Sequence, residues 1–308
     1  MSMKSTYDEP KANYSFKIKL KSWSLFLLMV ILTVICLFPI LILLVNATRE
    51  SIDIMNGFTI VPGKALAENF KQLTTNPNFA SSVNIAYGYL NSAIITISAC
   101  ALTVFFSALT AYGIQVYDFK LKEISYTAIL IVMMVPIQVT GAGFLNFMIK
   151  LGLHNTKWPL IIPAVAAPAV VFFMRSYMKS SFPQEIVEAA RIDGSGEFST
   201  FVKIAIPMMK PAIAVQAIFA FIANWNNLYT PQMILLSVDV KKKTLPMMIS
   251  SLMASDKIDY GVVYITIALS ILPIIIAYIF LSKFIIAGVA LGGVKAVSYT
   301  HLTLPTTE

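Results

Sequence analysis

Charged side chains are scarce in this 308-residue chain: Asp, Glu, Lys and Arg together make up 12% of it, about half the share of an ordinary soluble domain. With 57% hydrophobic residues and a mean hydropathy of +0.77, too little polar surface remains to keep a globule dissolved, which excludes a soluble protein. Histidine is nearly absent, His154 and His301 being the two present. No HExxH, no Ser/His/Asp set and no paired intramembrane aspartates can be assembled from what remains, so the chain is not expected to be an enzyme and no metal site is expected. The glycines form no phosphate-binding loop, so no nucleotide or other cofactor is expected on the chain itself. The two cysteines, Cys36 and Cys100, both fall inside apolar runs. They are expected to be buried packing residues and not a disulfide or a metal pair.

Long apolar runs take the place of these groups. Six of them are long enough to cross a hydrocarbon core of roughly 30 Å: Trp23–Ala47, Ile85–Ile114, Ile124–Met148, Pro159–Met178, Ala212–Leu235 and Val262–Ile286. The chain therefore reads as an all-α polytopic membrane protein. Lys17, Lys19 and Lys21 precede the first run, and Val45-Asn46-Ala47 loosely resembles a signal-peptidase site. A signal h-region spans only about 7–15 residues, so this full-length run is expected to be retained as a span. The formal charge of +8 comes without basic stretches interleaved with aromatics, which argues against nucleic acid. A Lys/Arg excess in a membrane protein instead sets orientation. Lys4, Lys11, Lys17, Lys19 and Lys21 before the first span place the N-terminus in the cytoplasm. Six spans then place the C-terminus there too, with loops 48–84 and 236–261 outside and loop 179–211 inside.

Apart from Arg175 and Lys283 near cytoplasmic span ends, the spans hold no ionisable side chain that titrates near neutrality. Proton-coupled carriers ordinarily carry an intramembrane carboxylate or histidine relay, so that mechanism is disfavoured. Sodium coupling through broken-helix carbonyls stays open. Pro39, Pro136, Pro163, Pro168 and Pro273 interrupt the spans, either as ordinary kinks or as functional breaks.

Loop 179–211 is the most informative segment. Ser180-Ser181-Phe182-Pro183-Gln184-Glu185 reads as a helix start, with a serine N-cap, proline in the first turn and Glu185 at the positive dipole end. Gly194 reads as the stop. A second helical stretch, Glu197–Ile206, carries Phe198, Phe201, Val202 and Ile204, and Pro207 and Pro211 precede the fifth span. On physical grounds alone this is an amphipathic hairpin on the membrane surface. The pattern Glu188-Ala189-Ala190, Asp193-Gly194, Phe201, Ile204, Ile206-Pro207 and Pro211 also resembles the EAA loop of ABC-importer permeases, with Ile206 where leucine is usual. Further matches extend the resemblance from Tyr89 to Ala296. They are Tyr89-Leu90-Asn91-Ser92, Ala111-Tyr112, Met133-Met134-Val135-Pro136, Leu151–Thr156, Asn224-Trp225-Asn226 and Thr244-Leu245-Pro246, all similar to the maltose-type, MalG-like carbohydrate-uptake branch.

That resemblance implies the type I importer permease (MetI-like) fold and a bacterial cytoplasmic-membrane location. It implies a tail at 1–22, a first helix with its external loop at 23–84, a core permease domain at 85–286 holding the coupling loop 180–211, and a tail at 287–308. Val297–Glu308 has no counterpart and reads as a non-native or read-through extension. Glu188, Ala189, Ala190, Asp193, Gly194, Phe201, Ile204 and Pro207 are implied to couple to an ATPase, Glu188 by pairing with a basic group and the alanines by allowing close approach. ATP and Mg would sit on that partner, an ATP-hydrolysing dimer. The other implied partners are a second permease, most simply in a heterodimer, an extracytoplasmic sugar-binding protein and membrane lipid. For a sugar path, Asn224, Trp225, Asn226, Asn227 and Tyr229 offer amides and aromatic faces in the fifth span, with Gln138 and Gln216 as further polar groups. The same aromatic and amide set equally fits an interfacial anchor. Other solutes, and a self-contained secondary carrier, are the competing readings.

Overall fold

The computed structural model describes residues 9–80, 83–237 and 239–295, with side chains from 18 to 283 other than those at 78, 80 and 238. Lys4, His301 and the extension Val297–Glu308 lie outside the described residues. Among the described residues every regular element is helical. Four helices of the described residues are long and apolar enough to cross a membrane unbroken: Ile18–Ala47, Ile85–Val116, Trp158–Ser181 and Tyr260–Lys283. Two bent pairs reach that length and apolarity only together, Lys122–Met133 with Ile137–Lys150 at 95° and Glu197–Met208 with Lys210–Trp225 at 80°. In the second pair Lys210–Trp225 is the membrane limb and Glu197–Met208, bent away from it, is the end of the loop before it. Six spans are reached when each bent pair is counted as one.

Several expectations need correction here. The third span, expected over Ile124–Met148 with an interruption at Pro136, is two separate helices and not one kinked helix. Pro136 supplies no N–H and bars Val135 from helical geometry, so the helix stops at Met133 and restarts at Ile137. The fifth span does not run to Leu235 but ends at Trp225, and a separate helix Tyr229–Ile234 follows. Amides that bond the nearby backbone end helices in this way: the Asn227 side chain accepts from the Thr230 N–H at 3.2 Å and so starts the next helix. Pro39 and Pro273, by contrast, sit inside continuous helices. Cys36 is exposed and not buried, because the whole stretch 18–41 of the first helix is exposed in this chain. Cys100 is partly buried, its Sγ 3.4 Å from the Ala217 carbonyl oxygen.

The chain divides into two compact units. The first, Met1–Leu73 with Lys257–Ala268, is organised at the Ala47 end of the first helix. The buried Asn69 amide donates to the carbonyls of Ala47 and Arg49, both at 2.9 Å. A β-carbon on Gly261 would lie within 3 Å of Asn69 and of the Arg49 carbonyl, so only glycine fits there.

The second unit, Thr74–Asp256 with Leu269–Glu308, is built around the second span, Ile85–Val116. Its near-continuous apolar sequence is punctuated by Gly88, Ser92, Thr96, Ala99, Thr103, Ser107 and Ala111, all on its buried face. Small residues let neighbouring backbones approach closely where no hydrophobic drive between helices exists. Towards Val116 the buried core contains Tyr112, Met174, Met178, Phe182, Val187, Phe201 and Met209. Towards Ile85 it contains Ile95, Met148, Leu160, Ile161, Ile234 and Met247.

Candidate functional site

The loop after the fourth span forms a closed, internally braced structure. Ser180 and Ser181 belong to the preceding helix, Pro168–Ser181, so the expected serine cap is not made. The short helix Glu185–Ile192 instead begins after Gln184 without a side-chain cap. The Gln184 amide is occupied elsewhere, donating to the Gln115 carbonyl at 3.0 Å. The stop at Gly194 is made as expected. Its φ is +76°, its N–H donates to Arg191 O at 3.0 Å, and the Ser195 N–H donates to Ala190 O at 2.9 Å. These two bonds make a complete Schellman closure, which requires a left-handed residue at the position of Gly194.

Beyond the turn the chain continues through Glu197–Thr200, a π-helical stretch Phe201–Ala205 and Ile206–Met208. An ion pair ties the two limbs together. Arg191 Nε donates to Glu197 Oε1 at 2.8 Å and Arg191 Nη2 to Oε2 at 3.3 Å. Tyr117, capping the second span, donates its hydroxyl to Glu197 Oε2 at 2.5 Å, and its ring lies 5.5 Å from the Arg191 guanidinium. The bonds from Arg191 and Tyr117 hold the Glu197 carboxyl below the usual carboxylate range. Partial burial, followed by the bond to Glu197, pushes the Tyr117 hydroxyl up to about 12. None of these three residues stood out in the sequence. Arg191 and Glu197 face each other across a glycine turn, which helix spacing does not reveal.

The residues of the EAA pattern divide between two faces. Glu188, Ala189, Asp193, Gly194 and Pro207 are exposed. Ala190, 7% exposed, and Phe201, 1% exposed, are buried within the chain, and Ile204 is intermediate. Phe201 packs its ring against Phe105, Tyr112 and Phe198. Direct approach of a partner is therefore open to Ala189 and closed to Ala190 and Phe201, which position the loop from below. The most exposed apolar side chains of the loop are Ile192, at 86%, and Phe198, at 64%. Ile192 was missed because its outward direction depends on which helix face Val187 and Ala190 bury.

The polar set of the fifth span also divides. Asn224, Asn227 and Tyr229 line a cavity of about 580 Å³ together with Thr140, Phe144, Phe147 and Thr230. Asn224 donates to its own helix at Ala220 O, leaving its side-chain oxygen available. The Tyr229 hydroxyl lies 3.5 Å from Gln138 O, and a β-carbon at Gly141 would come within 2.5 Å of that hydroxyl. Trp225 and Asn226 instead border a second cavity of about 540 Å³ beside Pro246, Ser250 and Ser270. Because the helix ends at Trp225, the five residues do not form the single ladder that one continuous span would give. Trp225 is 3% exposed, stacks on Phe221 and donates Nε1–H to Ser270 O at 2.9 Å, the contacts of an internal anchor. Gln138 is exposed and Gln216 buried, and neither lines these two cavities.

Other motifs of the sequence interlock at the opposite end of the second span. Asn91, 2% exposed, donates to both Lys241 O and Lys243 O, at 2.8 and 2.9 Å. Ser92 Oγ accepts from the Leu245 N–H at 2.9 Å. Tyr89 donates to Leu269 O at 2.5 Å. Leu269 lies four residues before Pro273, whose missing N–H leaves that carbonyl without its helical partner. Among the described residues no group of three or more His, Cys, Asp or Glu side chains is placed to hold a metal ion.

Comparison with known proteins agrees along most of the chain. The family described as binding-protein-dependent transport system inner membrane component matches residues 103–290. The arabinooligosaccharides transport system permease protein AraQ of Halalkalibacterium halodurans is 34% identical over 277 residues, covering 89% of this chain and 96% of that protein. The lactose transport system permease protein LacG of Rhizobium radiobacter is 31% identical, covering 84% and 91%. The trehalose/maltose transport system permease protein MalG of Thermococcus litoralis is 30% identical, covering 86% and 94%. In fold, the chain is similar to one in the crystal structure of a bacterial ABC transporter that imports the acidic polysaccharide alginate. The TM-score is 0.70 at 20% identity, over 92% of this chain and 99% of that one.

Proposed function

The chain belongs to the family of binding-protein-dependent transport system inner membrane components, and from that premise we propose that it forms half of the path of an ATP-driven importer for a sugar or oligosaccharide. The observation that carries this reading is the braced loop 182–209. A short helix closed by a glycine turn and clamped to the second span moves as one body with that span, whereas a slack loop would absorb the motion. It presents Glu188, Ala189, Ile192 and Phe198 outward, a charge and two apolar anchors suited to a cleft on an ATP-hydrolysing partner dimer, which would hold the ATP and Mg. The loop would then lie in the cytoplasm with both termini. The remaining partners are a second permease, in a heterodimer, and an extracytoplasmic solute-binding protein facing the strapped loop around Lys241–Lys243.

The choice of a sugar rests on the cavity and on the relatives' substrates. Amides at Asn224 and Asn227, hydroxyls at Thr140, Thr230 and Tyr229, and the rings of Phe144 and Phe147 line it, with no charged side chain among them. An uncharged, hydroxyl-rich solute suits that chemistry better than a polyamine, phosphonate or amino acid, whose charge would go unmatched.

The test is affinity purification of the tagged chain from its native membrane in mild detergent. Recovery of an ATPase, a second permease and a solute-binding protein is expected, and Ile192→Asp should lose the ATPase while retaining the permease. Recovery of the chain alone, from a membrane in which other complexes survive, together with ion-driven transport by it, would overturn the proposal in favour of a secondary carrier.

A further inference from the structure

The segment that follows the first helix carries a set of large apolar side chains that the described residues leave largely exposed. On the helix Ser51–Asn56, Ile52 and Met55 are three residues apart, hence on one face, and are 68% and 70% exposed. Phe58, Ile60 and Val61 follow at 68%, 58% and 66%. No charged residue occurs from Ile54 to Gly63. Contiguous exposed apolar side chains of this size mark a surface that something other than water covers.

Geometry within this unit says what covers it. The Phe58 ring lies 6.1 Å from the Phe38 ring. Phe38 sits in the run Ser22–Val45, which has no charged residue and must occupy the hydrocarbon. It precedes Val45 by seven residues, roughly 10 Å along the helix axis. The chain therefore leaves the membrane at Ala47, turns, and returns beside its own span to the level of the acyl boundary.

Arg49 holds that return in place. Its guanidinium, in a residue 9% exposed, donates to Asn46 Oδ1 at 3.1 Å, to Gly57 O at 3.0 Å and to Asp53 O. These bonds tie the helix Ser51–Asn56 and the start of the apolar segment to the end of the span. Gly57, at φ +148° with open space around it, makes the reversal. The Gly63 N–H donates to Thr48 Oγ1 at 2.8 Å and closes the far side.

We propose that Gly57–Val61 is a lipid-embedded hook, in which Phe58, Ile60 and Val61 insert into the headgroup and acyl boundary of the leaflet on the Ala47 side. The partner is the bilayer itself. Interfacial apolar side chains bury about 5–10 Å into that boundary in other monotopic segments. The hook fixes the height and tilt of the first span, whose side chains are exposed along 18–41.

The test uses the intact complex in vesicles of phosphatidylethanolamine and phosphatidylglycerol, with Cys36→Ala and Cys100→Ala as background. Phe58→Cys, Ile60→Cys, Val61→Cys and, as an aqueous reference, Glu68→Cys each carry an environment-sensitive fluorophore. Quenching by lipid bearing a nitroxide on acyl carbon 5 should be at least about twofold stronger at 58, 60 and 61 than at 68, with aqueous iodide giving the reverse order. Two results overturn the proposal. Equal quenching at all four positions would place the segment in water. Shielding of 58, 60 and 61 from both quenchers would place it against a protein partner. Should Phe58→Cys fail to assemble, the labels at 60 and 61 give the same reading.

Discussion

Gly194 offers the sharpest test of the coupling role proposed for loop 182–209, because two possible causes of damage separate there. Its φ of +76° lies in the left-handed region, yet a β-carbon built on it would meet no atom within 4 Å. Substitution is opposed by backbone conformation and not by crowding. For most residues the left-handed state costs about 1–2 kcal/mol, which lowers the equilibrium constant for the closed turn by about 5–30-fold. Asn and Asp tolerate the state best, and β-branched residues least. Gly194→Asn should therefore be the mildest variant, Gly194→Ala should lower the affinity for the ATPase subunit by up to that factor, and Gly194→Val should lower it further. The assay is titration of purified ATPase onto the permease pair in nanodiscs, with solute uptake measured in parallel. Gly194→Asp separates the second cause. It keeps the backbone tolerance of Asn but adds a charge beside Asp193, so any loss beyond the Asn variant reads the electrostatics of the docking surface. The resemblance to the EAA loop leads to the expectation that Asp at this position abolishes transport. On the structure that loss must come from charge. Equal damage by Asn and Val, or none by Val, would refute the argument from φ.

Three further outcomes follow from the bonds described. Arg191→Ala and Glu197→Ala should each weaken uptake by less than about fivefold, as for an exposed pair, and Arg191→Glu with Glu197→Arg should recover part of it. Because the Glu197 pKa is depressed, the clamp's contribution is complete above the ordinary carboxylate range. It is lost as pH falls through the lowered folded value, so ATPase binding should hold at mildly acid pH and weaken only below about pH 4. Tyr89→Phe should strand the Leu269 carbonyl and destabilise the purified complex by about 1–2 kcal/mol in thermal unfolding. Adding Pro273→Ala, which restores an N–H four residues beyond Leu269, should recover most of that loss, and additivity of the two changes would refute the pairing. Asn91→Leu removes two bonds to the loop carbonyls at Lys241 and Lys243 and should speed tryptic cleavage at Lys241–Lys243 severalfold. Asn91→Asp, which sets an acceptor against two acceptors, should do so more strongly, and an unchanged cleavage rate in both variants would count against the strap.

Membrane-spanning character, the approximate places of the apolar runs and the glycine stop in loop 179–211 were legible in the sequence alone, for a physical reason. Burying a helix in hydrocarbon demands a contiguous apolar run, and a glycine that closes a helix in the left-handed conformation is needed at one place, here Gly194. Both constraints are local, so they leave a local signature. The direction of each side chain is not local. Ala189 and Ala190 are equivalent as text, and only the helix face that buries Val187, in one core with Phe201 and Met178, turns one outward and the other in. Asn224 and Trp225 are neighbours in the chain, yet the helix end at Trp225 sends them to separate cavities. The partner of Tyr89 lies 180 residues away, at a carbonyl that Pro273 leaves unpaired, and the clamp from Tyr117 to Glu197 closes over 80 residues. Such contacts bring together chain segments with no periodicity in common, so they could be decided only by the packed tertiary structure.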